Sequence, residues 1–295
     1  MPKIVQFFHP GFETPESFIW EGLSSGQKYK AWKTDGHSRN FIKNHGEFVD
    51  ASGQKSAADL VFWGEWEAKA LVVKDFGKDA NPQRLIEPIK SKQPENCRDK
   101  KGCQNIDPFV FGECFRYSCC KQGAFRFLKE LDEDSIILFG AYKNRKFLLD
   151  TVFVVGKYPI KYSDRNGLKG IPDYEDYCNY LLVDFMDIDP YDKCVYYEGK
   201  TFSADKMYSF SPAKVYSEST GSAFRRIELD EKLLKSFFDG TSFSNEMKMG
   251  VNGQGGKDFP KEIIRQGWER LKNFVLEQGC VLGVKFDMPV KTKKS

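Results

Sequence analysis

Two glutamates, two positions apart, are the residues of this chain best suited to chemistry. Glu65 and Glu67 lie in the stretch 58–69, whose alternating apolar residues predict a β-strand. Side chains alternate along a strand, so both carboxylates would share one face with Trp63 while the opposite face is core. Their Cα atoms would lie roughly 6.6 Å apart, a separation that suits a pair flanking a sugar bond or a cation. The same pattern also fits a solvated edge strand whose charges prevent pairing with other chains.

Two short segments place an imidazole beside a second polar side chain. His9 and Glu13 follow the first predicted strand, where loops commonly carry function. His37 and Arg39 lie at the start of a short helix that the pattern predicts over residues 38–45. Because a helix N-terminus attracts anions, we expect His37 and Arg39 to contact a phosphate or a leaving group.

The segment 112–122 and one isolated acidic residue complete the candidate set. The segment offers side chains that could read the edge of a base while holding a phosphate. They are Glu113, Arg116, Tyr117, Lys121 and Gln122. Asp150 interrupts the apolar run 147–155, so its carboxylate must point out of the core or be paired inside it. We therefore count Asp150 as a catalytic candidate beside the two glutamates and His37.

The composition and apolar pattern of the chain say more about where the protein is located in the cell than about whether it binds nucleic acid. The chain has 295 residues, with 45 Lys and Arg against 42 Asp and Glu and a formal net charge of +3. This near balance neither requires nor excludes nucleic acid. Aromatic residues make up 15% of the chain, and basic residues gather at 28–43 and 90–101, a combination that suits stacking on unpaired bases. No apolar run approaches the ~18 residues that cross a bilayer, and the start does not resemble a signal peptide, so we expect a cytoplasmic protein with no membrane partner.

The sequence predicts neither a metal nor a cofactor. The eight cysteines lack the spacing of a zinc ribbon, and we expect them to be reduced thiols. The acidic turn 187–192 could bind a hard divalent ion but lacks the spacing of an EF-hand. The glycine-rich stretch 250–256 precedes Lys257, yet Asp258 stands where a phosphate-binding loop needs Ser or Thr.

The apolar pattern predicts an α+β fold with a mixed or antiparallel, partly barrel-like β-sheet and flanking helices. The predicted elements are strands at 3–8, 135–139, 147–155, 180–185 and 281–286 and helices at 122–131 and 260–278. Residues 74–107 show no periodicity and are predicted to be a long loop. We expect a core domain over 1–156 that carries the site and a C-terminal lobe over 157–295 that completes the sheet.

Several motifs together resemble an uncharacterised bacterial family. They are HPGFE at 9–13, HSRNF at 37–41, FWGEWE at 62–67, GECFRYSCCKQ at 112–122, and ILFG followed by LDTVFVV. The resemblance covers roughly the first half of the chain, and FWGEWE is its most specific motif. The chain departs from the family after HPGFE, where Thr14 stands in place of a histidine. The resemblance implies no activity.

Motif absences leave a narrow set of reactions. The chain lacks the nucleophile elbow of serine hydrolases, a Rossmann fingerprint and the zinc-deaminase signature, and it has only three histidines. Cleavage of a base-to-sugar bond needs only carboxylates, a cation or histidine, and rings that hold the base. Trp63 is an indole that we expect to bind the substrate in this way. The leading hypothesis is a DNA glycosylase for a modified base, with DNA more expected than RNA. Glu65 or Glu67 would be its catalytic carboxylate, and antiviral defence would suit such chemistry.

Three alternatives remain open at this point. A non-catalytic reader of flipped or modified bases would use the same aromatic and basic side chains. Transfer of ADP-ribose from a dinucleotide would use a similar carboxylate. A metal-dependent nuclease could use the acidic cluster 184–192.

Overall fold

The fold is described from a computed structural model of the chain. It describes residues 1–9, 19–21, 26–32, 37–91, 105–143, 146–178, 194–219, 224–239, 250–252 and 258–291. The predicted strand at 180–185 and the acidic residues 184–192 lie outside these ranges. No helix among the described residues is long and apolar enough to cross a membrane.

Strands dominate the described part of the chain. They are β1 (Ile4–His9), β2 (Ile19–Glu21), β3 (Lys28–Lys30), β4 (Arg39–Val49), β5 (Lys55–Glu65), β6 (Ala70–Asp75), β7 (Arg84–Pro88), β8 (Arg116–Tyr117), β9 (Ile136–Lys143), β10 (Lys146–Val154), β11 (Ile160–Tyr162), β12 (Cys194–Glu198), β13 (Ser211–Val215), β14 (Ile227–Leu229), β15 (Gly250–Asn252) and β16 (Val281–Phe286). The α-helices are α1 (Tyr174–Asp176), α2 (Glu231–Phe237) and α3 (Lys261–Glu277).

The strands form two large sheets and one small sheet. The first large sheet has the order β14-β10-β9-β1-β15, and the second has the order β16-β13-β5-β4-β7-β6-β3-β2. Both are mixed, because β1 pairs parallel to β9 and β4 pairs parallel to β7 while the other pairings in these sheets are antiparallel. The small sheet has the order β11-β12-β8. The predicted α+β fold with a mixed sheet is therefore confirmed.

Part of the second sheet closes on itself like a barrel. One edge of β4 pairs with β5 along its whole length, and the other pairs first with β7 and then with β16. Because β16 also pairs with β13, and β13 with β5, these four strands form a closed ring. At Gly46, where β4 meets β16, an added Cβ atom would lie 2.3 Å from the backbone oxygen of Lys285. The closure thus depends on a residue without a side chain.

Gly46→Ala is expected to destabilise the protein by roughly 1–3 kcal/mol, because the added methyl forces β4 and β16 apart. Gly64 of β5 is the matched control, since an added Cβ there meets only side-chain atoms at 3.3 Å or more. Urea unfolding of the two variants measures the difference. Equal stability of Gly46→Ala and Gly64→Ala would contradict a tight β4–β16 contact.

Apolar cores cover both faces of β5. Leu60 and Phe62 belong to one buried cluster, and Val61 and Trp63 belong to the other. The strand predicted at 58–69 exists but ends at Glu65, and it pairs on both edges. The edge-strand interpretation is therefore wrong, because β5 is a central strand.

Helix α3 packs on the buried cluster that contains Val61 and Trp63, as its sequence pattern predicts. The predicted inward stripe of Ile264, Trp268, Leu271 and Val275 is buried. The helix spans nearly the whole predicted range 260–278, and the last strand matches its prediction at 281–286. These elements have strong local periodicity, which is why the sequence alone identifies them.

Three local predictions are wrong. Residues 38–45 form strand and not helix, because pairing with β5 and burial on both sides outweigh a capping pattern. The helix predicted at 122–131 is a single 3-10 turn at Arg126–Lys129. The predicted loop 74–107 contains β7, which pairs with β4 and β6. The local sequence pattern does not indicate this pairing.

Candidate active site

The adjoining ends of β4 and β5 bring together the four catalytic candidates and Arg39. Arg39 begins β4, Glu65 ends β5, and the two residues are direct partners in the antiparallel ladder. The register between β9 and β10 shifts between Leu149 and Thr151, which makes Asp150 the extra residue of a β-bulge. Bulges re-aim a side chain, and here the Asp150 carboxylate meets Arg39.

His37 lies between the two glutamates. Its Nδ1 atom is 2.6 Å from Oε1 of Glu65 and 3.5 Å from Oε1 of Glu67. The backbone N–H of Ser38 donates to Oε1 of Glu67 at 2.7 Å. Glu67 lies beyond the end of β5, so strand alternation does not place it beside Glu65. The hydrogen bond from Ser38 helps to hold it there. The predicted convergence of Glu65, Glu67 and His37 is therefore found, through a different local structure.

Arg39 and Asp150 support this cluster from the protein interior. The Arg39 guanidinium has Nη1 3.6 Å from Oε2 of Glu65 and Nε 3.2 Å from Oδ2 of Asp150. It also donates from Nη2 to the carbonyl oxygen of Gly140 at 3.3 Å. Arg226 makes a bidentate pair with Asp150, with both Nη2–carboxylate distances at 2.7 Å. A chain of alternating charges thus runs from Arg226 to His37.

Burial makes this network costly. The side chains of Glu65 and Glu67 are 0% exposed and those of Arg39 and Asp150 are 1% exposed, whereas His37 is 20% exposed. Removing charges from water costs several kcal/mol per ion, so a buried ion network contributes little net stability. Its presence at one end of a strand pair favours a functional role, and His37 is the member that faces the outside.

The electrostatics of the cluster favour a charged imidazole and a neutral carboxyl group. Burial lowers the pKa of His37, but attraction by Glu65 and hydrogen bonds with Cys120 and both glutamates outweigh this and raise it. Burial raises the pKa of Glu67, and repulsion by Glu65 adds to the effect against the opposing hydrogen bond from His37. Glu67 thus tends to keep its proton while His37 carries charge.

The buried carboxylate of Asp107 fixes a loop that holds Cys120 against His37. Asp107 accepts hydrogen bonds from the backbone N–H groups of Ser118, Cys119 and Cys120 at 2.8–3.0 Å. The Cys120 thiol is hydrogen-bonded to the His37 imidazole. Burial raises the pKa of Asp107 to about 7, although the three N–H donors act in the opposite direction. Asp107 therefore titrates in the folded protein near neutral pH.

Asp107 gives an expected pH dependence of stability. Its pKa is higher in the folded than in the unfolded chain, so stability falls as the pH rises from about 4 to about 7, by up to about 4 kcal/mol. Asp107→Asn cannot ionise and keeps only one of the two acceptor oxygens, so the variant should lack this fall with pH and should be less stable than the wild type at pH 4.5. Urea unfolding at pH 4.5 and pH 8 measures both. Parallel pH profiles of the two proteins would contradict the expectation.

The candidates from 112–122 lie apart from the cluster, except at the Tyr117–Cys120 end. Glu113 is exposed and pairs with Lys285 at 2.9 Å. Arg116 is buried and bonded to Asp173 and to the carbonyl oxygens of Phe111 and Pro172. The predicted role of these side chains in reading a base is wrong for Arg116, because its donors are directed into the protein. Arg116 instead ties β8 to the segment before α1.

Two of the remaining members of that segment, Tyr117 and Gln122, make structural contacts. Gln122 is buried and exchanges hydrogen bonds of 2.7 and 2.8 Å with the backbone of Val195, so it does not face a ligand. The Tyr117 hydroxyl donates to the carbonyl oxygen of Cys120 at 2.8 Å, which supports the loop beside His37. Lys121 is exposed at a positive φ of 62°. The base-reading prediction is thus wrong for Gln122 as well.

The structure changes the interpretation of Trp63, His37 and Arg39. Trp63 is 3% exposed, with the Phe41 ring centroid 5.5 Å away and the Arg226 guanidinium 5.1 Å from its own, so it is not available to stack on a base. The predicted helix N-terminus for phosphate at His37 and Arg39 does not exist, because β4 begins there. Glu13 and the side chain of His9 lie outside the described residues.

Sequence reasoning missed Arg226, Asp107 and Cys120. Arg226 lies 76 positions from its partner Asp150, and Asp107 lies in a segment without periodicity. The only local signal was Asp150 itself, whose place in an apolar run required a partner. Among the described residues, His37, Glu65 and Glu67 form the group whose ligand atoms, within 4.8 Å of one another, could hold a metal ion.

Comparison of the chain with protein-family models, curated proteins and solved structures finds no match. The site therefore provides the basis for assigning chemistry. Two carboxylates and an imidazole within 4.8 Å can stabilise positive charge, activate water and transfer a proton.

Proposed function

We propose that the protein is a hydrolase acting on nucleic acid, and more specifically a DNA glycosylase that cleaves the N-glycosidic bond of a modified base. The observation that carries this proposal is the approach of Glu65 and Glu67 to one atom of His37, at 2.6 and 3.5 Å. Cleavage of a glycosidic bond needs negative charge close to the sugar and a donor beside the leaving group. The cluster offers both within a few ångströms.

Each side chain has a distinct part in the proposed reaction. Glu65, contacted by Arg39 on one oxygen and by His37 on the other, supplies the fixed negative charge that stabilises the developing cation at the sugar. His37 is the partly exposed member, so it reaches the substrate first and donates to the departing base. Glu67 holds the imidazole from its other side.

The spacing of the carboxylates indicates the course of the reaction. An inverting glycosidase separates its two carboxyl groups by about 6.5–9.5 Å to leave room for a water molecule, whereas a retaining enzyme holds them about 5–5.5 Å apart. The oxygens of Glu65 and Glu67 that face His37 lie within 4.8 Å of one another. This short distance favours an ion-pair or covalent intermediate over direct displacement by water.

A cation and a ring next to the cluster support a nucleic-acid substrate. Lys69 lies two positions from Glu67, and its Nζ atom is 4.5 Å from the centroid of the Tyr29 ring. Lys28, at the start of β3, is 48% exposed. Such lysines attract phosphates, and the half-buried Tyr29 ring beside Lys69 gives a base part of a surface on which to stack.

The proposal is tested by incubating the purified protein, in the presence of a chelator, with DNA that carries ordinary or modified bases. Mass spectrometry then measures the released free base and the abasic sites left in the strand. We expect both products, in equal amounts, from at least one modified substrate. DNA that binds the protein but stays intact across the panel would contradict the enzyme and favour a non-catalytic reader of bases.

A further inference from the structure

We infer that His37, Glu65 and Glu67 form a binding site for a divalent transition-metal ion, with Zn²⁺ as the best match to the donor set. We further infer that a bound ion blocks the hydrolysis proposed above, since it takes the same donor atoms. This second part rests on the proposed function, whereas the binding itself does not.

The distances within the cluster are close to those of a metal centre. Four ligands at about 2.1 Å in a tetrahedron lie about 3.4 Å from one another. Nδ1 of His37 and Oε1 of Glu67 are 3.5 Å apart, and Nδ1 is 2.6 Å from Oε1 of Glu65. All three ligand atoms lie within 4.8 Å of one another. An ion fits once the Oε1 atom of Glu65 moves from 2.6 Å to about 3.4 Å from Nδ1.

Groups behind the ligands already orient them. Arg39 contacts Oε2 of Glu65, which leaves Oε1 directed at His37, and Asp150 holds Arg39 in turn. The Ser38 N–H fixes the position of Glu67. Metal centres depend on such outer contacts to hold carboxylates in place. The cluster thus has pre-oriented ligands and not merely a group of neighbouring acids.

A second observation, on the other oxygen of Glu67, supports a cation at this cluster. This side chain is fully buried, and its Oε2 atom has no hydrogen-bond partner among the described residues. A buried carboxylate oxygen without a donor is costly. A divalent ion bound by the Glu67 carboxylate would give this oxygen a positively charged neighbour.

The donor set selects the kind of ion. One imidazole nitrogen with two carboxylate oxygens suits Zn²⁺ and related transition ions, whereas Mg²⁺ and Ca²⁺ prefer ligands that are all oxygen. Three protein ligands leave one tetrahedral position open to water or to an anion. His37 is the partly exposed ligand, so the open position lies toward the outside.

The test is calorimetric titration of the chelator-stripped, full-length protein with ZnCl₂, with thermal unfolding measured in parallel. We expect one Zn²⁺ per chain, a rise in Tm, and no saturable response to MgCl₂. Glu67→Gln and His37→Gln should each weaken binding at least tenfold. The matched control is His45→Gln, because His45 also contacts a carboxylate, that of Asp59 at 3.1 Å, but on the exposed surface.

Each outcome of this titration decides the inference. Loss of binding in Glu67→Gln or His37→Gln but not in His45→Gln supports it. Absence of any saturable binding, or binding that persists in both cluster variants, would overturn it. Stoichiometry and Tm are independent of activity, so failure of Zn²⁺ to bind is distinct from failure to release a base. If base release occurs, added Zn²⁺ should abolish it, and an increase would overturn the proposed block.

Discussion

Glu65→Gln is expected to lower the rate of base release by about 10³-fold or more. The substitution preserves the volume of the side chain and an oxygen that Arg39 can contact, but it removes the negative charge that faces His37. Because the developing positive charge on the sugar is stabilised by that carboxylate, the chemical step should slow while DNA binding is retained. The rate under single-turnover conditions, with excess protein, measures this step.

The control for this prediction is Glu113→Gln. Glu113 carries the same charge but is exposed on the surface, where it pairs with Lys285. Its substitution should change the rate by less than about twofold, since surface ion pairs contribute little. A folded Glu65→Gln variant that releases base within tenfold of the wild-type rate would contradict the role assigned to Glu65.

Asp150→Asn is expected to destabilise the protein by about 3–5 kcal/mol, the cost of leaving buried charges without their partner. The Asp150 carboxylate is 1% exposed and contacts the guanidinium groups of both Arg39 and Arg226. Asparagine fills the same space but leaves two adjacent positive charges to repel each other. The free energy of unfolding in urea measures the effect.

The double variant Asp150→Asn with Arg226→Leu separates charge from packing. Removing the Arg226 guanidinium, which is 7% exposed, relieves part of the repulsion and should recover stability relative to Asp150→Asn alone. Strict additivity of the two substitutions, or a loss below about 1 kcal/mol for Asp150→Asn, would contradict a paired internal network.

The sequence predicted the central pair of the site for a reason that is only partly correct. Glu65 and Glu67 do converge, but β5 ends at Glu65, so strand alternation does not bring them together. Glu67 is held near Glu65 in part by its contacts with His37 and with the Ser38 backbone, and both of these residues are remote from it in sequence. Residue types identified His37 and Arg39 even though their predicted helix is a strand.

Pairings across the sheets could not be predicted. Asp150 required a partner in the core, and the structure supplies two, but nothing near it in sequence pointed to Arg226. The predictions for Arg116 and Gln122 fail in the opposite way. Their residue types suit a ligand site, but they make their hydrogen bonds inside the protein. A local pattern identifies a polar side chain but does not show what it contacts. Elements with strong periodicity, such as α3 and β16, were predicted almost to the residue.

A glycosylase centred on Glu65 and Glu67 is best tested by counting the abasic sites that wild-type protein and folded Glu65→Gln form in modified DNA, with chelator present. We expect abasic sites with the wild type, in proportion to released base, and almost none with the variant. Equal numbers with both proteins, or none with the wild type on any modified base, would contradict a glycosylase centred on Glu65 and Glu67.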